Sequence, residues 1–155
     1  MQRFKNKYKL DWVLINELAI GRAPSTLSDL QTIESKGINS ILSLCSISEA
    51  KPPQQLEQMF YFKRVVLPDH KYKREINVDE INKALDILSE LLTNGSVLVH
   101  CVAAIERSPL ICMAWLIRNK NLSMQEALDY LMQIHPGTCP LPSQIKVLNS
   151  IRKET

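Results

Sequence analysis

A short apolar strand that runs directly into a helix is the feature of this sequence that most constrains its fold. The segment SVLVHC, residues 96–101, is rich in valine and leucine, which is typical of a strand buried on both faces inside a parallel sheet. Ser108 and Pro109 then offer an N-cap and a first helical residue, and SPLICMAWLIRNK predicts a helix. In open α/β sheets, ligands bind where such strands end and such helices begin.

The remaining segments alternate between strand and helix patterns. VLINELAI predicts a small hairpin around Asn16 and Glu17, whereas INSILSLCS and YFKRVVLP predict one strand each. Together with SVLVHC, this order predicts an α/β fold in which a small, mostly parallel central sheet of about four or five strands is flanked by helices. The length of 155 residues and the lack of a linker-like segment predict a single domain over residues 1–155.

Further segments carry helix signals. The clearest is NVDEINKALDILSELLTNG, in which Asn77 can cap the helix, Glu80 can complete a capping box and Gly95 can end it. Its apolar face is supplied by Ile81, Leu85, Leu88 and Leu92. STLSDLQTIESKG predicts a helix that is capped by Ser25 or Ser28. Helices are also predicted over PPQQLEQMF, starting at its prolines, and over SMQEALDYLMQIH and PSQIKVLNSIRK.

Composition narrows the classes of function. The net charge of +3 is too small for the dense basic stripe of a nucleic-acid-binding protein, so no nucleic-acid partner is expected. The four cysteines lack Cys-x-x-C or Cys/His spacing, which argues against a metal site and for reduced thiols inside a cell. Neither an apolar signal segment nor a membrane-spanning run is present, so we expect a soluble, cytoplasmic protein. We further expect a monomer that uses no cofactor.

The turn between Cys101 and Arg107 combines several anion-binding features. It follows the carboxyl end of a strand and leads into a helix N-terminus, whose unpaired amides and positive dipole end favour an anion. Arg107 adds a planar fork of donors suited to two phosphate oxygens. The same environment favours the thiolate of Cys101, which would be a nucleophile beneath a bound phosphoryl group. The amides expected to surround the anion belong to Val102, Ala103, Ala104, Ile105, Glu106 and Arg107.

A thiolate mechanism also needs an acid that protonates the leaving oxygen. Asp69 follows Leu-Pro at the end of a predicted strand, in a polar loop that could reach the neighbouring strand end. Asp79 is the rival, although the first turn of a predicted helix already explains an acidic residue there. Ser108 could donate a hydrogen bond to the sulfur and so help Cys101 to leave when the intermediate is hydrolysed. The segment KYKR, residues 71–74, is either a solvated loop or a basic rim that steers anionic substrates.

HCVAAIERS resembles the His-Cys-x5-Arg-Ser/Thr motif of the protein tyrosine phosphatase superfamily. Its late position in a short chain is similar to that in the compact dual-specificity phosphatases, and Leu-Pro-Asp resembles the mobile Trp-Pro-Asp loop of the superfamily. The resemblance implies a dual-specificity-phosphatase-like fold. It further implies roles for five residues: Cys101 as nucleophile, Arg107 as phosphate clamp, Asp69 as general acid, Ser108 as the hydroxyl that aids breakdown of the intermediate, and His100 as a residue that tunes the cysteine.

Two residues depart from the pattern of that family. The family usually has glycine three positions after the cysteine, where this chain has Ala104, and a positive φ at an alanine would cost about 1–2 kcal/mol. Glu106 places an acid beside a dianion site, which is unfavourable unless its side chain points to solvent. The loop also lacks the lysines that phosphoinositide-directed members tend to carry, and this argues against that class of substrate.

The sequence therefore predicts a metal-independent protein phosphatase that acts on phosphotyrosine and, in the broader form of the hypothesis, on phosphoserine and phosphothreonine. The reaction would pass through a cysteinyl-phosphate, and the partner would be a phosphorylated protein or a small aryl phosphate. Three alternatives stay open: a module that binds phosphorylated partners without turnover, a sulfurtransferase or arsenate reductase, and a phosphatase that acts on lipids, RNA ends or another non-protein ester. Cys45, Cys112 and Cys139 are interpreted as core or loop thiols, with a Cys45–Cys101 disulfide under oxidation as a further hypothesis.

Overall fold

The computed structural model describes residues 7–69, 71 and 74–151. Five strands and six helices lie in that part of the chain. The strands are β1 Leu10–Leu14, β2 Leu18–Gly21, β3 Ile38–Ser43, β4 Tyr61–Arg64 and β5 Ser96–His100. The helices are α1 Leu27–Ser35, α2 Leu56–Met59, α3 Val78–Leu92, α4 Arg107–Asn119, α5 Met124–Ile134 and α6 Pro142–Val147, followed by a 3-10 turn over Leu148–Ser150.

The strands form one sheet in the order β1-β2-β5-β3-β4. The β1–β2 pair is antiparallel, as the predicted hairpin requires, and the other three pairings are parallel. The predicted α/β fold with a small, mostly parallel sheet is therefore confirmed. At the end of β5, His100 pairs with Gly21 of β2 and with Ser43 of β3. The carboxyl ends of three parallel strands consequently open onto the same edge of the sheet.

β5 is buried on both faces, which explains why its sequence is apolar rather than alternating. Val97 and Val99 belong to the larger hydrophobic core, which also contains the apolar faces of α3 and α4. Leu98 points to the opposite face and belongs to a smaller core that includes Leu30 and Ile33 of α1. The strand that delivers the candidate site is thus fixed between two packed layers.

α4 begins at Arg107, so the prediction that Ser108 is its N-cap is wrong. The cap position is held by Glu106, and no side chain caps the helix. Ser108 cannot cap because it already lies inside the first turn, where its side chain is fully buried. Pro109 is the third helical residue rather than the first, a position whose amide has no intrahelical acceptor in any case.

The N-cap of α1 is Thr26, so the prediction of Ser25 or Ser28 is also wrong. The Thr26 side chain accepts from the amide of Asp29 at 3.1 Å. Ser25 instead donates through its amide and its hydroxyl to the Asp29 carboxylate, which also pairs with Arg22. Because Ser25 bonds to this buried carboxylate, its side chain does not cap the helix.

The other helix predictions hold with changed boundaries. The capping box of α3 is confirmed, with Asn77 and Glu80 bonded reciprocally. Of the apolar face predicted for α3, Leu92 is only partly buried, since it lies at the last turn. α2 begins at Leu56 rather than at the prolines, and α6 passes into a 3-10 turn after Val147. No helix in the described ranges is both long and apolar enough to cross a lipid bilayer.

Candidate active site

The Cys101–Arg107 loop connects the carboxyl end of β5 to the N-terminus of α4. Cys101 follows the last residue of the strand and is 3% exposed, whereas Arg107 is the first residue of the helix. The loop forms one wall of a pocket of about 350 Å³, called the main pocket below. The main pocket is lined by Glu49, Asp69, Lys71, Cys101, Val102, Ala103, Ile105, Glu106 and Arg107.

The carbonyl groups of the loop are held by donors that lie outside it. The carbonyl of Val102 accepts from the amide of Ala23 at 3.0 Å, and the carbonyl of Ile105 accepts from the amide of Cys139 at 2.8 Å. The carbonyl of Ala104 accepts from a ring nitrogen of His135 at 2.6 Å. These donors come from the segment after β2 and from the segment around the end of α5, on the outer side of the loop.

The direction of these carbonyls fixes the direction of the amides. In a planar trans peptide, the N–H of the following residue points opposite to the C=O. With the carbonyls of Val102 and Ala104 bonded outward, the amides of Ala103 and Ile105 point toward the interior of the loop. Within the described ranges these two amides donate no backbone hydrogen bond, so the loop is a concave array of N–H groups suited to an anion.

Ala104 adopts the left-handed conformation that its position in the motif requires, with φ at 58°. For an alanine this conformation costs about 1–2 kcal/mol relative to the ordinary helical region. Its side chain is buried, and its carbonyl is anchored by His135. The packing and the hydrogen bond therefore hold a conformation that glycine would adopt without help.

The Arg107 guanidinium is anchored by several acceptors. Its Nη2 donates to Oε1 of Glu49 at 2.9 Å, and its Nη1 donates to Oε2 of Glu49 at 3.2 Å. Nη1 also donates to the carbonyl of Leu67 at 3.0 Å and reaches the carbonyl of Leu44 at 3.4 Å. These bonds hold Arg107 at the floor of the main pocket and tie the loop to the chain that precedes Asp69.

Glu49 is a residue of the site to which the sequence assigned no role. Burial raises the pKa of its carboxyl, but hydrogen bonds from Arg107 and from the amide of Ser46 outweigh burial and hold that pKa below its usual range. The carboxylate is therefore ionised wherever the protein is folded at neutral pH. The loop that carries Glu49 has no periodic pattern, and its partner lies 58 residues away along the chain. No local signal could have identified it.

Asp69 lies at the main pocket with Cys101 and is half-buried. Its Oδ1 accepts from the amide of Lys71 at 2.7 Å, which fixes the orientation of the carboxylate. The rival acid, Asp79, lies in the first turn of α3 and is not among the described residues that line the main pocket. The structure thus brings together Asp69 and Cys101, as the sequence predicted, and leaves Asp79 elsewhere.

His100 is buried beneath the loop. Burial lowers the pKa of its imidazole to about 4, assisted by the nearby charges of Arg64 and Arg107 and opposed by a hydrogen bond with the Cys101 carbonyl. That bond joins Nδ1 to the carbonyl oxygen at 2.9 Å. His100 is consequently neutral at pH 7. It can position Cys101 through its hydrogen bond, but it does not place a positive charge beside the thiol.

The hydroxyl of Ser108 is buried and has no hydrogen-bond partner in the described part of the chain. A hydroxyl in this state costs free energy unless another group uses it. Ser108 is the second residue of α4, next to Arg107, and its hydroxyl lies at the end of the loop that begins at Cys101.

The acidic residue of the loop, Glu106, is directed to α6. Its Oε1 accepts from Nε2 of Gln144 at 2.6 Å, and Gln144 itself is buried. Glu106 lines the main pocket, but this contact holds its carboxylate on the side of the pocket that faces α6. The sequence made Glu106 unfavourable for a bound dianion unless its side chain points to solvent, and the structure instead directs the carboxylate to Gln144.

The basic segment over residues 71–74 was interpreted either as a solvated loop or as a basic rim of the site, and its described residues differ in this respect. Lys71 is exposed and lines the main pocket, which favours the basic rim. Arg74 pairs with Glu80 at the start of α3, at 2.6 Å. Tyr72 and Lys73 lie outside the described residues.

The four cysteines are free thiols in this structure. Cys45 and Cys112 are buried, and burial raises the pKa of both, whereas Cys139 is exposed. The Cys45–Cys101 disulfide stays a prediction. Among the described residues, no three His, Cys, Asp or Glu side chains converge closely enough to hold a metal ion.

Comparison with known proteins places this arrangement among phosphatases. The family model described as dual specificity phosphatase, catalytic domain, matches residues 20–154. Dual specificity protein phosphatase 2 of Mus musculus is 33% identical over 107 residues, which cover 68% of this chain and 32% of that protein. The phosphatidylglycerophosphate phosphatase PTPMT2 of Arabidopsis thaliana is 23% identical over 143 residues, which cover 92% of this chain and 63% of that protein.

A solved structure shares the fold. The crystal structure of PTPMT1 in complex with PI(5)P superposes with a TM-score of 0.75 at 18% identity, over 87% of this chain and 89% of that chain. The matched part of this chain spans about a third of the length of the mouse relative and less than two thirds of the Arabidopsis relative.

Proposed function

The chain belongs to the family of dual-specificity phosphatase catalytic domains, and on that premise we propose that it hydrolyses phosphotyrosine in proteins through a covalent intermediate on Cys101. Membership of the family supports a cysteine-based hydrolase of phosphoric monoesters. The finer proposal concerns the substrate and the roles of the individual residues. In its broader form, the substrate also includes phosphoserine and phosphothreonine.

The single observation that carries the proposal is the outward anchoring of the loop carbonyls. Because Ala23 and His135 hold the carbonyls of Val102 and Ala104, the loop presents its amides inward before any substrate arrives. Arg107 is likewise held in place by Glu49. Preorganised donors stabilise the charge that develops on a transferring phosphoryl group without a cost of reorganisation during the reaction.

In the first step, the thiolate of Cys101 attacks the phosphorus atom of the bound monoester. An S–P bond forms as the P–O bond to the leaving group breaks, and Asp69 in its protonated form gives its proton to the leaving oxygen. The amides of the loop and the guanidinium of Arg107 hold the equatorial oxygens throughout. The product of this step is a cysteinyl-phosphate, together with the free alcohol or phenol.

In the second step, water attacks the phosphorus atom of the intermediate. Asp69, now ionised, takes the proton from the water, and the S–P bond breaks to release inorganic phosphate. The unpaired hydroxyl of Ser108 donates to the departing sulfur and stabilises the thiolate that forms. His100 stays neutral beneath the loop and keeps the Cys101 carbonyl bonded.

The walls of the main pocket support an aromatic leaving group. Val102 and Ile105 are 41% and 48% exposed at the pocket, so they offer apolar contact to a ring above the phosphate. The loop carries no lysine, and Lys71 is the only lysine or arginine besides Arg107 among the described lining residues. A substrate with one phosphate on an aromatic ring fits this surface better than a polyphosphorylated headgroup.

A phosphate monoester on a lipid is the second candidate substrate. The similarity to the phosphatidylglycerophosphate phosphatase of Arabidopsis extends over 92% of this chain. In addition, Ile47 and Val66, which are 60% and 50% exposed, lie two and three residues from Glu49 and Asp69 along the chain. Exposed apolar residues around a phosphate site would suit acyl chains as well as an aromatic ring.

The test compares the wild-type protein with Cys101→Ser on a matched panel in the presence of a chelator. The panel contains a phosphotyrosine peptide, the corresponding phosphothreonine peptide, and phosphatidylglycerophosphate in vesicles. We expect the highest kcat/KM on the phosphotyrosine peptide and loss of all turnover in Cys101→Ser. A higher kcat/KM on the lipid would overturn the phosphotyrosine proposal in favour of the lipid phosphate monoester. Turnover that survives in Cys101→Ser would overturn the covalent mechanism.

The same two proteins also test two alternatives that the sequence left open, a binding module and a sulfurtransferase or arsenate reductase. If the wild type binds the phosphopeptide but releases no phosphate, the chain is a binding module. If it reduces arsenate or transfers sulfur from thiosulfate while the monoesters are untouched, the loop serves a different reaction. Circular dichroism and thermal unfolding of Cys101→Ser show that any loss of turnover is not a loss of fold.

A further inference from the structure

His135 links three parts of the chain at the outer side of the Cys101–Arg107 loop. It follows α5, and its side chain is 13% exposed. Its Nδ1 lies 2.6 Å from Oδ2 of Asp11 in β1, and its Nε2 lies 2.6 Å from the carbonyl oxygen of Ala104. The sequence assigned no role to this histidine.

Both partners of the imidazole are acceptors. An ionised carboxylate and a peptide carbonyl have no proton to donate, and a neutral imidazole carries a single N–H. The two short contacts can both be hydrogen bonds only when both ring nitrogens are protonated. The observed geometry is therefore that of the imidazolium form, bonded at once to Asp11 and to Ala104.

The positive charge of the His135 imidazolium strengthens the hydrogen bond to the carbonyl of Ala104 in the loop. The carbonyls of Val102 and Ile105 are held by backbone amides, which do not titrate. Within the described chain, two histidines bond to carbonyls of the loop: His100, whose pKa is lowered to about 4, bonds to that of Cys101, and His135 bonds to that of Ala104, the residue with the strained backbone. If this bond is lost, the peptide that joins Ala104 to Ile105 can turn, and the amide of Ile105 then leaves the interior of the loop.

We propose that His135, as an imidazolium, is a positioning residue for the phosphate loop and that anion binding weakens when it loses its proton. The proposal rests on the proposed function, since it assigns the loop to phosphate. Deprotonation leaves one lone pair facing either Asp11 or Ala104. The charge-assisted bond to the carbonyl is then lost or weakened, and the left-handed conformation of Ala104 loses its anchor.

The charged groups around His135 come from three segments. Asp11 belongs to β1, Lys7 and Lys9 precede β1, and Arg22 follows β2. All four line a cavity of about 450 Å³ together with His135 and Ala104. The three cations oppose the imidazolium. Lys7 and Lys9 are exposed, so solvent screens their charges, Arg22 is paired with Asp29, and Asp11 is the charged group in direct contact with the ring.

The test measures anion binding without catalysis. In the Cys101→Ser protein, the Kd of tungstate is measured by equilibrium dialysis from about pH 5.5 to pH 8.5, the range in which histidines titrate, with tungstate kept dilute so that it stays the monomeric dianion. We expect binding to weaken by about tenfold toward the alkaline end. His135→Arg, added to Cys101→Ser, keeps a cation with several donors and should bind tungstate almost independently of pH. His135→Gln should bind weakly at every pH.

Parallel pH profiles for Cys101→Ser and its His135→Arg derivative would overturn the inference. If His135→Arg does not fold, a second measurement decides. In the Cys101→Ser protein, the ring-nitrogen NMR signals of His135 should show a doubly protonated imidazole that persists to higher pH when tungstate is bound. A midpoint that tungstate does not move would sink the proposal, because linkage between the two sites is reciprocal.

The outcome is distinguishable from a failure of the proposed function. A chain that hydrolyses no monoester but binds tungstate with the His135-dependent profile retains this inference and loses the function. A chain that hydrolyses phosphotyrosine, while wild type and His135→Arg share one pH profile of kcat/KM, retains the function and loses this inference.

Discussion

The guanidinium of Arg107 and the carboxylate of Glu49 form a bidentate ion pair inside the site, with N–O distances of 2.9 and 3.2 Å. Both side chains are largely buried, at 4% and 14% exposed. A buried cation that keeps a fixed partner cannot swing away when the pocket is empty. The pair therefore presets the orientation of the group that would clamp phosphate, and it also joins the loop before α2 to the start of α4.

Glu49→Gln tests this pair. The substitution keeps the shape of the side chain but leaves Arg107 as a buried charge without its counter-ion, which should cost roughly 2–4 kcal/mol of unfolding free energy. The kcat/KM for an aryl phosphate should fall about tenfold or more. Chemical denaturation and steady-state kinetics measure the two effects. Glu34→Gln, at an exposed carboxylate, is the matched control and should change neither quantity.

The ionisation of Glu49 also predicts a pH dependence. Because the pKa of Glu49 is lowered in the folded protein, the stability that it contributes is present above its unfolded-state pKa and is lost as the pH falls through the folded-state value. The unfolding free energy of the wild type should therefore drop more steeply below about pH 4.5 than that of Glu49→Gln. Equal slopes for the two proteins would show that the pair is absent in solution.

Asp69→Asn tests the proposed acid. The amide cannot give a proton, so hydrolysis of a monoester with a poor leaving group should fall by about a hundredfold, whereas an activated aryl phosphate should lose much less in the first step. The measurement is kcat/KM against the pKa of the leaving group. A slope equal to that of the wild type would give the acid role to another group. Asp79→Asn, in the first turn of α3, is the control for a rival carboxylate.

His100 predicts a second pH effect, at milder acidity. Burial lowers the pKa of its imidazole to about 4, from about 6.5 when unfolded. The stability that it contributes is therefore present above the unfolded value and is lost as the pH falls toward the folded one. Between pH 7 and pH 5, this group should remove about 2 kcal/mol of unfolding free energy. His100→Asn should lack that fall, and an unchanged pH dependence in the variant would contradict the assignment.

Ala104→Gly tests the strain at φ 58°. Glycine relieves about 1–2 kcal/mol of strain, but it loses a buried methyl group and adds roughly 0.5–1 kcal/mol of backbone entropy to the unfolded chain. The unfolding free energy should therefore change by less than about 1 kcal/mol. Ala103→Gly is the matched control, because Ala103 is exposed and is not among the residues with positive φ. A clear loss in Ala104→Gly that exceeds the loss in the control would show that the alanine is unstrained.

The frame of the site could be predicted from the sequence because its determinants are local. A buried strand, a turn and a helix start occupy one continuous segment. Because the strand packs between two cores, its central residues are all apolar, which makes it recognisable in the sequence. Asp69 was predicted to lie at the site for a similar reason, since it lies in the loop that follows the β4 segment, although β4 itself ends at Arg64. The helix caps were less predictable. Two hydroxyl residues, Ser25 and Thr26, directly precede α1, and the carboxylate of Asp29 bonds to Ser25, so that Thr26 caps the helix.

The contacts that shape the loop could not be predicted, because they join distant parts of the chain. His135 meets Ala104 across 31 residues, and Glu106 meets Gln144 across 38. Neither pair belongs to a repeating pattern. Such contacts follow from the way α5 and α6 pack beside the loop, which is a property of the whole fold. They explain how a loop with alanine at 104 and glutamate at 106 keeps its amides directed inward.

The most direct measurement is the mass of the peptide that contains Cys101 after a brief reaction with an aryl phosphate and an acid quench. The wild-type protein should yield this peptide with one added phosphoryl group, and Cys101→Ser should yield neither the adduct nor free phosphate. Steady release of phosphate by Cys101→Ser, or turnover in the wild type with a phosphoryl group on any other residue, would contradict the covalent role of Cys101.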